Sequence, residues 1–351
     1  MNVIIVGCHK GLTRCVIRSL LTSKIKFSFI GTKELIQSVS LSKLSKSVYE
    51  IEEKDLNIDC QKINEIIETL ISKNDNNFVI PTGIRSTLYI SKYATNSPNY
   101  NNHYPMSDYQ TLSMLNNKWD FYLFLREQGI PTPKTELLAP LEIEKITSHV
   151  HFPVMTKPLD SENSKDVIRS ENLNELSKVI DKSSIPLLIQ EYIPGYDLNL
   201  GIFSLNGTIK AWIINRRTDK GLVFEQNKEA LQIGEEIVKA LHFSGIIHFD
   251  LRCNEQDGTI SVLECNPRVW GSMLHSTYAG VNFIELAINH QSNEIPFNEV
   301  KSGTVSLKRN SMMKKVSKLS FSRQDFQSIF IQTKLFIRDP FYELSFFIIN
   351  K

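Results

Sequence analysis

Asp250, Glu264, Asn266 and Arg268 are the residues of this chain whose types and spacing point most directly to chemistry. Two carboxylates and an amide oxygen form a hard-oxygen ligand set suited to Mg2+ or Mn2+. Arg268 adds a fixed cation whose planar fork suits phosphate or carboxylate. The surrounding sequence predicts a β-hairpin. Residues 246–252 and 259–265 are β-rich, and Asp257-Gly258 between them is a strong turn signal. Side chains alternate faces along a strand, so Glu264 and Asn266 point one way and Cys265 the other, into core. Asp250 can reach the Glu264 face from the partner strand. The plainer alternative is a strand whose polar residues face water, although Glu-x-Asn followed directly by Pro-Arg is rare on such a strand.

Four further stretches could supply the rest of a site. Lys118 opens a helix predicted over 116–128, which stops at Gly129 and cannot continue through Pro131 and Pro133. Lys157 closes the apolar strand 153–157 ahead of Pro158, where a side chain can address a ligand beyond the strand's carboxyl end. Either lysine could instead be a surface cation. The polar stretch 159–164, with Lys165 after it, can cradle phosphates through backbone N–H groups, Ser164 and Lys165. Residues 190–195 leave a buried strand and can meet an adenine edge with backbone groups, and Asp197 can accept from ribose hydroxyls. Arg216 and Arg217 are adjacent cations at a predicted strand end, where one can face an anion. His248 shares the parity of Asp250, as a pocket-lining or a structural histidine.

The elements that must position these residues read as α/β. A strand at 3–7, a helix at 11–21 and a strand at 27–31 make a βαβ opening without a GxGxxG fingerprint. A helix at 60–72 and a strand at 78–81 follow, and 96–104 reads as a loop, so a first domain ends near residue 115. The second part holds a helix at 171–181, a strand at 186–192, an Asn206-Gly207 hairpin between 199–205 and 208–215, and helices at 228–242 and 283–289.

A formal net charge of +2 over 351 residues gives no global pull towards nucleic acid or anionic membrane. The basic, Ser-rich stretch 303–323 lacks interleaved aromatics and reads as a solvated face, so neither a nucleic-acid nor a membrane partner is expected. The five cysteines are scattered without a CxxC pair, which fits reduced thiols in a cytoplasmic protein. The opening residues lack a basic n-region, and no stretch approaches the ~20 apolar residues of a membrane span.

The order of these motifs resembles the ATP-grasp superfamily, with closest likeness to carbamoyl-phosphate-synthase-like and amino-acid-ligase carboxylate–amine ligases. The likeness spans residues 1–295, and Glu264-Cys265-Asn266-Pro267-Arg268 is its most specific part. It implies a Rossmann-like α/β domain at 1–115, an α+β ATP-grasp domain at 116–297 (a lid part at 116–190 and a metal-bearing part at 191–297) and a C-terminal extension at 298–351. It also implies MgATP, with Mn2+ as a substitute metal, small-molecule carboxylate and amine substrates, and room for a homodimer. By the same resemblance Lys118, Lys157, Ser164 and Lys165 contact nucleotide phosphates. Glu191, Tyr192 and Ile193 hold adenine, Asp197 the ribose, and Asp250, Glu264 and Asn266 the metal. Arg268 and Lys157 steady the transferring phosphoryl group, and Arg217 meets a substrate anion.

The stretch 160–166, where the family carries a glycine-rich loop, has no glycine and includes Glu162 and Asp166. That keeps two other functions open: a non-ligating ATP-binding module for regulation or assembly, and an ATP-grasp kinase that releases a phosphorylated product.

Overall fold

The computed structural model describes residues 1–71, 76–94, 104–138, 151–159, 166–183, 186–219, 221–290, 305–306, 330 and 333–348. The expected phosphate-loop residues 160–165, including Ser164 and Lys165, and nearly all of 303–323 lie outside them. The chain divides into two compact units. One holds Met1–Leu112, Leu200–His248 and Asn266–Lys351, and the other Ser113–Asn199 and Phe249–Cys265.

The first unit opens with β1 (Asn2–Gly7), α1 (Lys10–Ser23), β2 (Phe27–Gly31), α2 (Lys33–Val39) and β3 (Ser45–Glu50). A 3-10 turn (Glu53–Leu56), α3 (Lys62–Leu70), β4 (Asn77–Pro81) and α4 (Ile84–Ala94) follow. The strands pair in parallel in the order β3-β2-β1-β4, the arrangement of a Rossmann-like sheet. The continuous apolar run of β1 requires both faces to be covered. Val3 and Ile5 join the core built with Leu12, Val16 and Leu20 of α1, while Ile4 and Val6 join Ile63 and Ile67 of α3 and Ile90 of α4. The 3-10 turn, set by reciprocal capping between Glu52 and Asp55, is local and polar and left no periodic signal.

Helix α5 (Tyr109–Asn116) begins in the first unit and ends in the second, which then takes up α6 (Lys118–Glu127), β5 (Thr135–Leu138), β6 (Val154–Pro158), β7 (Ile168–Ser170), α7 (Leu173–Lys182) and β8 (Leu187–Glu191). Its four-stranded sheet has the order β5-β8-β6-β7, antiparallel throughout. Asn117 caps α6 by accepting from the backbone N–H groups of Trp119 and Asp120, which makes Lys118 the helix's first residue.

Next come β9 (Gly195–Leu205), β10 (Thr208–Thr218), β11 (Gly221–Glu225), α8 (Lys228–Ala240), β12 (Gly245–Asn254) and β13 (Ile260–Asn266). After them lie α9 (Met273–Tyr278), α10 (Phe283–Ile288), β14 (Val305–Ser306) and α11 (Pro340–Ile348). A six-stranded sheet has the order β13-β12-β9-β10-β11-β14. Asn206 and Gly207 both take positive φ, 49° and 76°, the twist a two-residue hairpin needs. Strand β10 runs past the expected end at 215, because β11 pairs with it. Arg216 and Arg217 therefore lie opposite Val223 and Leu222 inside a ladder, not at a strand end. Among the described residues, no helix is long and apolar enough to cross a membrane.

Within the first unit, α11 is held by buried polar contacts. Glu343, 3% exposed, pairs with Arg14 at 3.0 Å and Arg18 at 2.8 Å. Arg338 donates to the Leu21 and Thr22 carbonyls at the end of α1, and Asp339 accepts from the Ser42 hydroxyl and the Lys43 N–H. Glu343→Ala strands two arginines beside a buried space. It is expected to cost about 3 kcal/mol of stability in urea denaturation, since removing one partner of a buried ion pair leaves the other uncompensated. A cost below about 1 kcal/mol, the level of a surface pair, would show that α11 is held by apolar packing alone.

Candidate functional site

The hairpin of β12 and β13 closes at Asp257, whose Oδ1 accepts from the Thr259 N–H at 2.9 Å and its hydroxyl at 2.7 Å. Strand β12 is longer than the sequence suggested, and β13 keeps the expected seven residues, shifted by one. Asp250 and Glu264 lie close enough for each carboxyl to act on the other. Burial and the neighbouring Asp250 charge push the Glu264 carboxyl above the usual carboxylate range, while Lys118 and Lys157 oppose the rise.

Lys157 is 8% exposed at the end of β6. Burial pulls its ammonium below the ordinary lysine range, and the Glu264 carboxylate is the largest influence holding the charge on. Its Nζ donates to Gln190 Oε1 at 2.7 Å, and Gln190 Nε2 donates to Thr135 Oγ1 at 2.9 Å. The register explains the relay, because Thr135 lies directly opposite Gln190 and Lys157 opposite Leu188 across β8. Lys118 Nζ donates to the Leu159 carbonyl at 3.2 Å. Phe121, Leu188 and Leu263 complete a cavity with these two lysines and Gln190. The lining sets apolar side chains beside two cations and a carboxamide.

The segment after β8 is pinned from two sides. The Glu191 N–H donates to the Lys134 carbonyl at 2.8 Å, and the Lys134 N–H to Glu191 Oε2 at 3.4 Å. The Arg169 guanidinium lies 3.9 Å from the Tyr192 ring centroid. Arg252 donates to the Ile193 carbonyl at 2.9 Å and to Asp197 Oδ1 at 2.7 Å. Thr135 and Arg169 were not singled out from sequence, and Gln190 and Arg252 stood there within the stretches 190–195 and 246–252 without a role of their own. Only Arg252 carried a usable signal, its parity with Asp250 on one strand.

Of the remaining residues, Asn266, Arg268, Arg216, Arg217 and His248 belong to the first unit and Cys265 to the second. Asn266 is the last residue of β13, with the parity of Glu264. Arg268 Nη1 donates to the Val269 carbonyl at 3.0 Å, Arg216 pairs with Glu225 at 2.9 Å, and Arg217 is exposed. Cys265 is buried, with Sγ 3.1 Å from the Leu115 carbonyl. His248 is 5% exposed and stacks on Trp270 with centroids 4.9 Å apart.

Among the described residues, no group of three or more His, Cys, Asp and Glu side chains is arranged to hold a metal. The expected ligand set is different: two carboxylates and an amide. Two neighbouring carboxylates repel when both are ionised, and a divalent cation relieves that as well as a shared proton does. The Asp250–Glu264 pair therefore fits a hard cation.

A Rossmann-like parallel sheet followed by an antiparallel sheet and a hairpin carrying paired carboxylates defines a mixed α/β protein. Two family models match in overlapping stretches: an ATP-grasp in the biosynthetic pathway with Ter operon over residues 183–317, and a RimK-like ATP-grasp domain over 115–221. Both are ATP-grasp models, and between them they cover residues 115–317, which places that part of the chain in the ATP-grasp superfamily. It is 23% identical over 237 residues to D-aspartate ligase of Enterococcus faecium (strain Aus0004), covering 57% of this chain and 55% of that protein. It is 24% identical over 201 residues to the arginine-specific carbamoyl phosphate synthase large chain of Bacillus subtilis (strain 168), covering 52% of this chain and 19% of that one. The match thus spans about half of the first relative and a fifth of the second. Among solved structures, L-amino acid ligase from Bacillus licheniformis superposes with a TM-score of 0.62 at 17% identity, covering 82% of this chain and 74% of that one. N5-carboxyaminoimidazole synthetase from Staphylococcus aureus, complexed with ADP, gives 0.65 at 13%, covering 91% and 87%.

Proposed function

We propose that this protein is an ATP-dependent carboxylate–amine ligase. Its carboxylate substrate attacks the γ-phosphorus of ATP, the bond to the ADP oxygen breaks, and an acyl phosphate forms. An amine then attacks the acyl carbon and loses a proton, and the C–O bond to phosphate breaks, giving an amide and free phosphate. A thiol nucleophile would follow the same course. The observation that carries this is the gathering of Asp250, Glu264, Lys118 and Lys157, charged groups close enough to act on one another, with Lys157 buried at the end of β6.

In this scheme Asp250, Glu264 and Asn266 hold a divalent cation, which supplies charge neutralisation for the phosphates when bound. Lys118 and Lys157 bind phosphate oxygens, with Ser164 and Lys165 beside them. Residues 191–193 hold adenine, and Asp197 accepts from the ribose. Arg268 steadies the moving phosphoryl group, and Arg217 meets an anionic substrate. Likeness to proteins named D-aspartate ligase and L-amino acid ligase, and to a synthetase complexed with ADP, supports the choice of chemistry. The domain scheme 1–115, 116–297 and 298–351, and a cytoplasmic, homodimeric state, belong to the same proposal.

The test is ADP and phosphate release from MgATP over a panel of carboxylates and amines. Release that requires one member of each class is the expected result. The glycine-free stretch 160–166 favours a second function, ATP binding without turnover. Thermal stabilisation by MgATP with no ADP formed under any pairing would select it.

A further inference from the structure

We propose that Arg252 is a positioning residue for nucleotide recognition, tying the base-holding segment and Asp197 to the strand that carries Asp250. This rests on the nucleotide site proposed above. Arg252 is 17% exposed at the side chain and spends its guanidinium on three partners. Nε donates to the Ile193 carbonyl at 2.9 Å, Nη1 to Asp197 Oδ1 at 2.7 Å, and Nη2 lies 3.5 Å from the Tyr192 hydroxyl. Tyr192 and Ile193 stand on the segment 192–194 that links β8 to β9, and Asp197 on the first residues of β9.

Asp197 is 72% exposed at its side chain, so an unassisted carboxylate there would sample several rotamers. A charge-assisted bond on Oδ1 selects one of them and leaves Oδ2 as an acceptor for a ribose hydroxyl. Arginine suits the task because its rigid fork reaches a backbone carbonyl and a carboxylate at once, which a lysine ammonium cannot do in one geometry. Residues 250 and 252 share a strand face, so one strand sets both a metal ligand and the ribose acceptor. The Arg169 guanidinium against the Tyr192 ring keeps that ring from following a displaced Arg252.

The test compares MgATP with Mg-dATP, which lacks the 2′-hydroxyl, by calorimetry on the full chain. The unmodified protein is expected to prefer ATP by about tenfold, the worth of one hydrogen bond to a charged acceptor. Arg252→Gln is expected to weaken ATP binding by about tenfold and to reduce the preference below about twofold, as one such bond is lost. Asp197→Asn should do the same, and the double variant should be no worse than either single one, because coupled residues act as a unit. Arg252→Lys should restore part of the preference. If Arg252→Gln does not fold, Asp197→Asn, altered at an exposed side chain, carries the comparison. Equal binding of ATP and dATP by the unmodified protein, or additive losses in the double variant, overturns the assignment while ATP binding stands. No binding of MgATP at all overturns the nucleotide site itself, and this assignment with it.

Discussion

Glu264→Gln is expected to lower ADP formation by roughly 10³-fold while leaving the fold intact, the size of effect seen when a group that stabilises transition-state charge is removed. Glutamine keeps the shape of the side chain. It removes one charge from a carboxylate that Asp250, Lys118 and Lys157 all act upon. The pair then offers a divalent cation a single negative charge, and Lys157 loses the largest influence favouring its ammonium form. Stability should not fall, since a carboxylate repulsion has been relieved and the strand remains anchored by buried Val262 and Cys265. ADP formation by a coupled assay, beside circular dichroism, checks both halves. Turnover within about threefold of the unmodified protein would remove Glu264 from the phosphoryl-transfer site.

Gly195→Ala, at the first residue of β9, should be a far more damaging single-methyl change than its position on the strand suggests. Gly195 has φ +140°, a region closed to residues with a Cβ. A Cβ placed there would fall 1.9 Å from the Cys253 carbonyl oxygen and 2.9 Å from the Glu255 nitrogen. Both are backbone atoms of β12 and its turn, and the Glu255 N–H donates to the Pro194 carbonyl at 3.2 Å, so neither can simply move aside. Backbone strain of about 1–3 kcal/mol adds to the cost of breaking that approach, for a total expected above about 3 kcal/mol. Gly258→Ala is the control. It also has positive φ, 78°, but nothing lies within 4 Å of its would-be Cβ, so it should cost only about 1 kcal/mol. Urea midpoints for the two variants measure the difference. Equal costs would show that the left-handed backbone alone matters and that the close approach does not.

The sequence disclosed the hairpin because its signals are local. Asp257-Gly258 marks the turn, strand parity aligns Glu264 with Asn266, and the run of apolar residues before Asp250 marks β12. Even the closeness of Asp250 to Glu264 follows once the two strands are known to pair. The relay from Lys157 through Gln190 to Thr135 could not be read, because it depends on β8 lying between β5 and β6, an order that three separated strands do not advertise. Arg252 shows the same limit. Its partners at Ile193 and Asp197 lie 59 and 55 positions away, so its role rests on a chain reversal that no short-range pattern encodes. The bonds from Arg14 and Arg18 to Glu343 span most of the chain. Contiguous segments also describe the compact units poorly. Strands β9, β12 and β13 each have residues in both units, so no single cut in the sequence separates them.

Carboxylate oxygen transfer tests the central claim most directly. A carboxylate substrate labelled with 18O on both oxygens is incubated with the protein, MgATP and an amine, and the released phosphate is weighed by mass spectrometry. An acyl phosphate requires one labelled oxygen to leave with each phosphate formed, in step with amide. Unlabelled phosphate, or a stable phosphorylated product with no phosphate released, would contradict ligation through an acyl phosphate and leave ATP hydrolysis or a kinase in its place.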